Sequence, residues 1–256
     1  MAVRIDATIQ ARFGSSRLPG KVLRPLAGRP ALARIVERIR QSRLIDRVII
    51  ATSTNAADDA VAALAENVGA ECFRGSEDDV LGRVVSALRA FDVDVHAEFQ
   101  GDNAVPDAGV IDGVIGYFLK HRDEVDYVST GLTTTYPPGS EVAVYRAATL
   151  FAAEADVRPE HPREHVGLHI YKRRDLFRCR GLQAPPALHA PDMHLEIDTE
   201  EDYTVVCALY DHFLPDHPDF TLAQAIDYAR ASGICEANAA VFRRWRQYRD
   251  EGPARG

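Results

Sequence analysis

Residues 9–21 read IQARFGSSRLPGK and have the makings of an anion-binding loop. Gly14, Ser15, Ser16 and Gly20 allow backbone N–H groups to come close to an anion, while Arg12, Arg17 and Lys21 supply counter-charge. The chemistry this suits best is holding the phosphates of a nucleotide. A plain glycine–serine turn after a strand has the same composition. Two familiar phosphate loops are excluded. Gly14 and Gly20 have five residues between them, and Lys21 is followed by Val22 rather than by a hydroxyl residue, so the Walker pattern is absent. No Gly-x-Gly-x-x-Gly run occurs in the chain.

Two acids stand at positions where metal chemistry is expected. Asp102 directly follows a strand-type run at 93–99, and Asp198 closes another at 193–197. The carboxyl ends of parallel strands are where open α/β sheets bind ligands. Two carboxylates meeting there suit Mg²⁺, a hard cation that prefers oxygen. For Asp198 a second reading stays open, because Asp-Thr-Glu-Glu also reads as a helix cap followed by an acidic first turn. The cluster Gly75-Ser76-Glu77-Asp78-Asp79 is either a capped helix start or a nucleotide contact. His161, His165 and His169 are spaced four apart, but Pro162 breaks a helical alignment and no His-Glu-x-x-His is present, so hydrogen-bonding histidines are expected rather than zinc.

The elements that must position these residues alternate through the first half. Strand patterns at 3–9, 47–52, 70–73 and 93–99 are interleaved with helix patterns at 31–43, 55–68, 78–91 and 110–121. Such alternation predicts an α/β fold with a mainly parallel sheet and helices on both faces. After about residue 125 the rhythm changes, with strand patterns at 127–130 and 141–145 and a stretch rich in proline and histidine. Residues 130–190 are read as an insertion that covers the active site or makes a dimer contact. Helices are expected at 200–213, 221–232 and 238–250. The domain is set at 1–235, with 236–256 a C-terminal helix and frayed tail.

Composition narrows the function. The 256 residues, 46% of them hydrophobic, can bury one sizeable core. A net charge of −8 argues against nucleic acid as a partner and leaves the cationic loop to a small anion. There is no apolar run near membrane length, and the N-terminal MAVRIDATIQ has no signal-peptide core. The four cysteines are far apart and read as reduced thiols, so a cytoplasmic location is expected.

Taken together, the motifs resemble the cytidylyltransferases of spore-coat polysaccharide biosynthesis and the CMP-sugar synthetases of the ketodeoxyoctonate and acylneuraminate type. The match lies in Gln10-Ala11-Arg12-x-Gly14-Ser15-x-Arg17-Leu18-Pro19-Gly20-Lys21, in Arg74-Gly75-Ser76-Glu77-Asp78-Asp79-Val80-Leu81 and in Gln100-Gly101-Asp102. Tyr136-Pro137-x-Gly139, Arg163-Glu164-His165-Val166 and Asp198-Thr199-x-Glu201-Asp202 follow in family order. The resemblance implies a three-layer α/β/α nucleotide-diphospho-sugar transferase-like fold with an inserted lid or dimerisation segment, and a homodimer.

It further implies a Mg²⁺-dependent transfer of CMP from CTP to a small anionic acceptor, an acidic sugar first, with release of pyrophosphate. Arg12, Lys21 and Asp102 would be catalytic. Ala11, Arg12, Gly14, Ser15, Arg17, Lys21, Ser76 and Gln100 would bind the nucleotide, and Asp102 and Asp198 the metal. Tyr136, Glu141, Arg163, Glu164 and His165 would face the acceptor. Three departures from the pattern fall on the acceptor side: Glu98 where an arginine is usual, Asn103-Ala104-Val105 before Pro106, and Pro138-Gly139-Ser140-Glu141 after the Tyr-Pro. They keep two alternatives open, a sugar phosphate or phosphonate acceptor and a non-catalytic nucleotide-binding regulator.

Overall fold

The computed structural model describes residues 3–157, 162–214 and 216–244. Its centre is a seven-stranded sheet. In chain order the strands are β1 (Ile5–Gln10), β4 (Arg47–Ser53), β5 (Glu71–Gly75), β6 (Val95–Gln100), β7 (Tyr127–Ser129), β8 (Ala143–Arg146) and β9 (Cys179–Gly181), with β2 (Pro25–Leu26) and β3 (Arg29–Pro30) forming a separate two-stranded ribbon. The spatial order is β5-β4-β1-β6-β8-β7-β9, and only β8 runs against the rest.

Because side chains alternate across a strand, β1 sends Ile5, Ala7 and Ile9 to one face and Asp6, Thr8 and Gln10 to the other. The apolar set joins Val48 and Ile50 of β4 and Ala97 and Phe99 of β6 in the main core. Five helices cover that face: α1 (Ala31–Ile39), α2 (Asp59–Asn67), α4 (Ala108–Lys120), α7 (Glu200–Phe213) and α8 (Leu222–Ser232). On the opposite face α3 (Val80–Ala90), α5 (Ala147–Ala155) and the short α6 (Leu168–Tyr171) pack on Ile49, Ala51, Tyr127 and Tyr145. The result is the expected three-layer α/β/α architecture.

Several helix starts follow from local chemistry. Asp79 accepts from the Gly82 N–H (2.7 Å) at α3, and Asp107 accepts from the Val110 N–H (3.0 Å) at α4. Thr199 and Asp202 form a reciprocal capping box at α7, and Thr221 and Gln224 another at α8.

Three expectations are corrected. Residues 193–197 are not a strand: they form an isolated bridge between Glu196 and Asn103 and thread between two loops. There Leu195 N–H donates to the Pro138 carbonyl (2.8 Å) and Ile197 N–H to that of Asp102 (3.1 Å). Their backbone groups are satisfied by loops, so no ladder forms. Residues 130–190 do not stand apart as an insertion, since β8 lies inside the sheet between β6 and β7, β9 extends its edge, and α5 and α6 cover its face. The C-terminal helical segment is described over 239–244 and is docked on the domain rather than appended to it: Val241 and Phe242 are buried. The rest of the helix expected at 238–250 lies outside the described residues, as does His161.

Candidate active site

The carboxyl ends of β1, β4, β5 and β6 open onto one edge, and every nucleotide-side candidate lies there. The 11–20 loop leaves β1 and is anchored from both sides. Phe13 N–H donates to Asp58 (2.6 Å), and the Phe13 carbonyl accepts from Ser15 and Gly20 (2.9 Å each). Gly20 has φ +69°, and the Phe13 ring sits where a Cβ would be, so only glycine closes the loop here. Leu18 is buried as the hydrophobic peg of the loop. Asp58 also accepts from Ser53 N–H (3.2 Å) on its own segment, so its carboxylate ties the 11–20 loop to the end of β4, a cross-segment contact that local pattern did not reveal.

Lys21 begins the next short turn and points its ammonium between two acids. Its Nζ is 2.8 Å from Asp102 Oδ2 and 2.8 Å from Asp198 Oδ1. Arg17 Nη2 adds a contact of 2.7 Å to Asp198 Oδ2. Two acids 96 residues apart in sequence thus converge on one point at the sheet mouth. Burial works against charge at each group, yet the opposite charges prevail: Asp198 is held below the usual carboxylate range by Lys21 and Arg17, and Lys21 is raised by Asp102 and Asp198. The open question about Asp198 is resolved by its neighbour. Thr199 caps α7, which leaves the Asp198 carboxylate free for the site.

The pair fits a divalent cation. Asp102 Oδ1 is buried without a hydrogen-bond partner, a costly arrangement that a hard cation would relieve. Among the described residues no third His, Cys, Asp or Glu joins them as a close ligand set. An ion held by two carboxylates and several waters is the kind Mg²⁺ favours.

Arg12 lies at the other side of the loop, with Nη2 3.6 Å from Glu164 Oε1. Ala11 is buried at the loop entrance, Gly14 is exposed and Ser15 half-buried with its hydroxyl accepting from Leu18 N–H (3.3 Å). Gln100 is exposed at the end of β6, whereas Ser76 follows β5, so they flank the mouth from opposite sides. Three strand spacings, roughly 14 Å, separate their strands.

The acceptor-side candidates are dispersed. Arg163 is consumed by Asp79 (2.8 Å) and Glu154 (3.1 Å), and its carbonyl accepts from Leu81 N–H (2.8 Å). Glu164 and His165 are exposed on the loop it anchors. Tyr136 packs in the main core, its hydroxyl pushed up by burial and by Asp107. Glu141 is half-buried, and its carbonyl accepts from Asn103 Nδ2 (3.0 Å). That bond gives Asn103 a purpose, tying the Asp102 turn to the 136–142 loop. His169 Nε2 hydrogen-bonds to the Pro162 carbonyl (2.9 Å).

Behind the acids lies a buried relay that the sequence did not suggest. His194 bridges Asp202 (3.0 Å) and Glu196 (3.0 Å), and Asn238 Nδ2 donates to Asp202 (2.9 Å). Burial opposes the imidazolium, but the two carboxylates raise His194 to about 10. Glu196 is pushed up to about 7, by burial first and then by Glu141 and Asp102, against the pull of His194.

Comparison with known proteins agrees with this geometry. The sequence model of the family described as cytidylyltransferase matches residues 7–243. The spore coat polysaccharide biosynthesis protein SpsF of Bacillus subtilis (strain 168) is 35% identical over 223 residues, covering 85% of this chain and 90% of that protein. A 3-deoxy-manno-octulosonate cytidylyltransferase of Synechococcus elongatus is 41% identical over 205 residues, covering 72% of this chain and 80% of its own length. Among solved structures, a cytidylyltransferase from Leptospira borgpetersenii superposes with a TM-score of 0.86 over 91% of this chain and 97% of that one, at 24% identity. The acid pair, the cationic loop beside it and these likenesses converge: the chain belongs to the cytidylyltransferase family and is a nucleotidyltransferase.

Proposed function

We propose that the protein transfers CMP from CTP to a hydroxyl of an acidic sugar, or a similar anionic alcohol, and releases pyrophosphate. The observation that carries this reading is the convergence of Asp102 and Asp198 on one point beside Lys21 and Arg17. The names of the relatives, which include an octulosonate cytidylyltransferase and a spore-coat polysaccharide protein, support the substrate class. No helix among the described residues is long and apolar enough to cross a membrane.

The acceptor hydroxyl oxygen attacks the α-phosphorus in line, its proton passing to solvent, a new O–P bond forms and the bond to the β-phosphate oxygen breaks. Arg12, Arg17 and Lys21 hold the triphosphate and neutralise the charge that grows on the departing pyrophosphate; the arginines can do so with two-pronged hydrogen bonds and the lysine as a point charge. Asp102 and Asp198 hold Mg²⁺, which when bound supplies Lewis-acid polarisation of a phosphate oxygen. Lys21, 2.8 Å from each acid, would share the two carboxylates with the ion or turn its ammonium to the phosphates. Gln100 and Ser76 approach the cytosine from opposite flanks of the mouth. Glu164 and His165, exposed on the loop beside Arg12, face the acceptor, with Arg163 holding that loop from behind.

A pyrophosphate-release assay with CTP, UTP, ATP and GTP against sugar acids, sugar phosphates and phosphonates tests this. Turnover with CTP, Mg²⁺ and 3-deoxy-manno-octulosonate or a related sugar acid is the expected result. Tight CTP binding by calorimetry with no pyrophosphate release from any acceptor would overturn it. Wild-type rates in an Asp102→Asn variant would remove the proposed metal ligand.

A further inference from the structure

The helix-bearing face of α3, α5 and α6 covers an unusual strip of sheet. On that face β1 and β6 carry Asp6, Thr8 and Gln10 beside His96, Glu98 and Gln100, in the register Asp6–His96, Thr8–Glu98 and Gln10–Gln100. Thr8 and His96 hydrogen-bond to each other (2.6 Å). Glu98 is the hub of the strip. Gln10 Nε2 donates to its Oε1 (3.0 Å), Tyr145 OH donates to its Oε2 (2.6 Å), and the Gly167 backbone packs against the same carboxylate, a Cβ there falling 3.2 Å from Oε2. These partners come from three places: the last residue of β1 before the phosphate loop, the centre of β8, and the residue that follows the 163–166 loop.

We propose that Glu98 is a positioning residue of the acceptor side, its buried carboxylate pinning Gly167 and so holding the 163–166 loop over the cleft. The loop is fastened at its other end by Arg163, whose carbonyl and guanidinium are both engaged at the start of α3. Between the two fastenings stand the exposed Glu164 and His165, with Glu164 reaching Arg12. The fit at the pin is tight. A Cβ on Gly167 would lie 2.9 Å from Tyr127 OH and 3.2 Å from Glu98 Oε2. Burial raises the Glu98 carboxyl, and its hydrogen bonds from Tyr145 and Gln10 oppose that. A carboxylate retained in so dry a place satisfies donors that would otherwise be orphaned.

This rests on the cytidylyl-transfer reading only for its kinetic arm. The structural arm uses hydrogen–deuterium exchange on wild type, Glu98→Ala, Glu98→Gln and Gly167→Ala. Glutamine can serve: it keeps the packing on Gly167, its oxygen accepts from Tyr145, and its NH₂ donates to a flipped Gln10 amide. Glu98→Ala and Gly167→Ala are expected to speed exchange across 163–170 by about tenfold or more, with Glu98→Gln within about threefold of wild type, as follows from losing or keeping a buried hydrogen bond. Calorimetric CTP–Mg²⁺ affinity stays within about threefold throughout. With 3-deoxy-manno-octulosonate as acceptor, Glu98→Ala raises the acceptor KM about tenfold while the CTP KM holds, and Glu98→Gln restores it. Should Glu98→Ala fail to fold, Gly167→Ala disturbs the same contact from the loop side. Unchanged exchange at 163–170, loosening spread across β1 and β4, or an equal rise in the KM for CTP would each overturn the proposal. Absence of transfer in wild type would count against the reaction, and the exchange data would still decide the pin.

Discussion

Removing the lysine from between its two acids should make the protein weaker without Mg²⁺ and more responsive to it. In Lys21→Met the side chain keeps its length and loses its charge. Two carboxylate oxygens, each 2.8 Å from Nζ, lie at most about 5.6 Å apart. The three side chains are only 11%, 21% and 10% exposed, so the site is largely shielded from solvent. At an effective dielectric near 20, two carboxylates at that separation repel by up to about 3 kcal/mol, which Arg17 on Asp198 offsets only in part. For a domain of this size, about 3 kcal/mol lowers the melting temperature by roughly 6–12 °C. A divalent ion takes the place of the lost ammonium and offsets the repulsion. Melting measured with EDTA and with saturating Mg²⁺ should therefore show a larger Mg²⁺-induced rise in Lys21→Met than in wild type. Transfer should fall by about 10²–10³, because a charge on the leaving pyrophosphate goes unmatched. If Mg²⁺ stabilises the variant no more than wild type, the two acids do not form a cation site.

Adjacent residues at the start of α7 should separate stability from catalysis. Thr199→Ala loses a helix cap and about 1 kcal/mol in urea unfolding, with transfer retained, whereas Asp198→Asn keeps the fold and loses most pyrophosphate release. His194→Ala leaves Asp202 and Glu196 facing each other without their buried cation and should cost about 3–5 kcal/mol. Since the folded state raises His194 to about 10 from 6.5, the wild-type advantage is full below about pH 6.5 and shrinks as pH rises towards 10, which chemical denaturation across that range would reveal. An advantage that grew with pH would contradict the assigned charge. Gln100→Ala should lower the preference for CTP over UTP roughly tenfold by removing one base contact, read from kcat/KM for each nucleotide.

Much of the molecule was legible in its residues. Helical spacing located α1, and the spacing at 200–213 and 221–232 located α7 and α8, although the cap of α7 is Thr199 rather than the Asp198 that the sequence offered. The glycines, hydroxyls and cations of residues 11–21 were legible because such a loop is built from neighbours in sequence, and the structure sets it at the mouth of the sheet beside the two acids. Asp102 was placed correctly by a rule about strand ends, which needs only the strand to be recognised. The 193–197 stretch misled because its alternation is real, yet its backbone partners are loops that pattern does not display. Tyr136 packs on the main core, which a tyrosine beside prolines does not declare in sequence.

Local sequence therefore determined the glycine-rich cationic loop, the helix starts and the alternation that builds a parallel sheet. Tertiary structure alone decided which charges meet. Lys21 reaches Asp102 across 81 positions and Asp198 across 177, and Glu98 became a buried hub because β8 inserted between β6 and β7. The physical reason is that a hydrogen bond or ion pair depends on separation in space at the scale of about 3 Å, and that separation is set by the order of strands across the sheet rather than by any spacing along the chain.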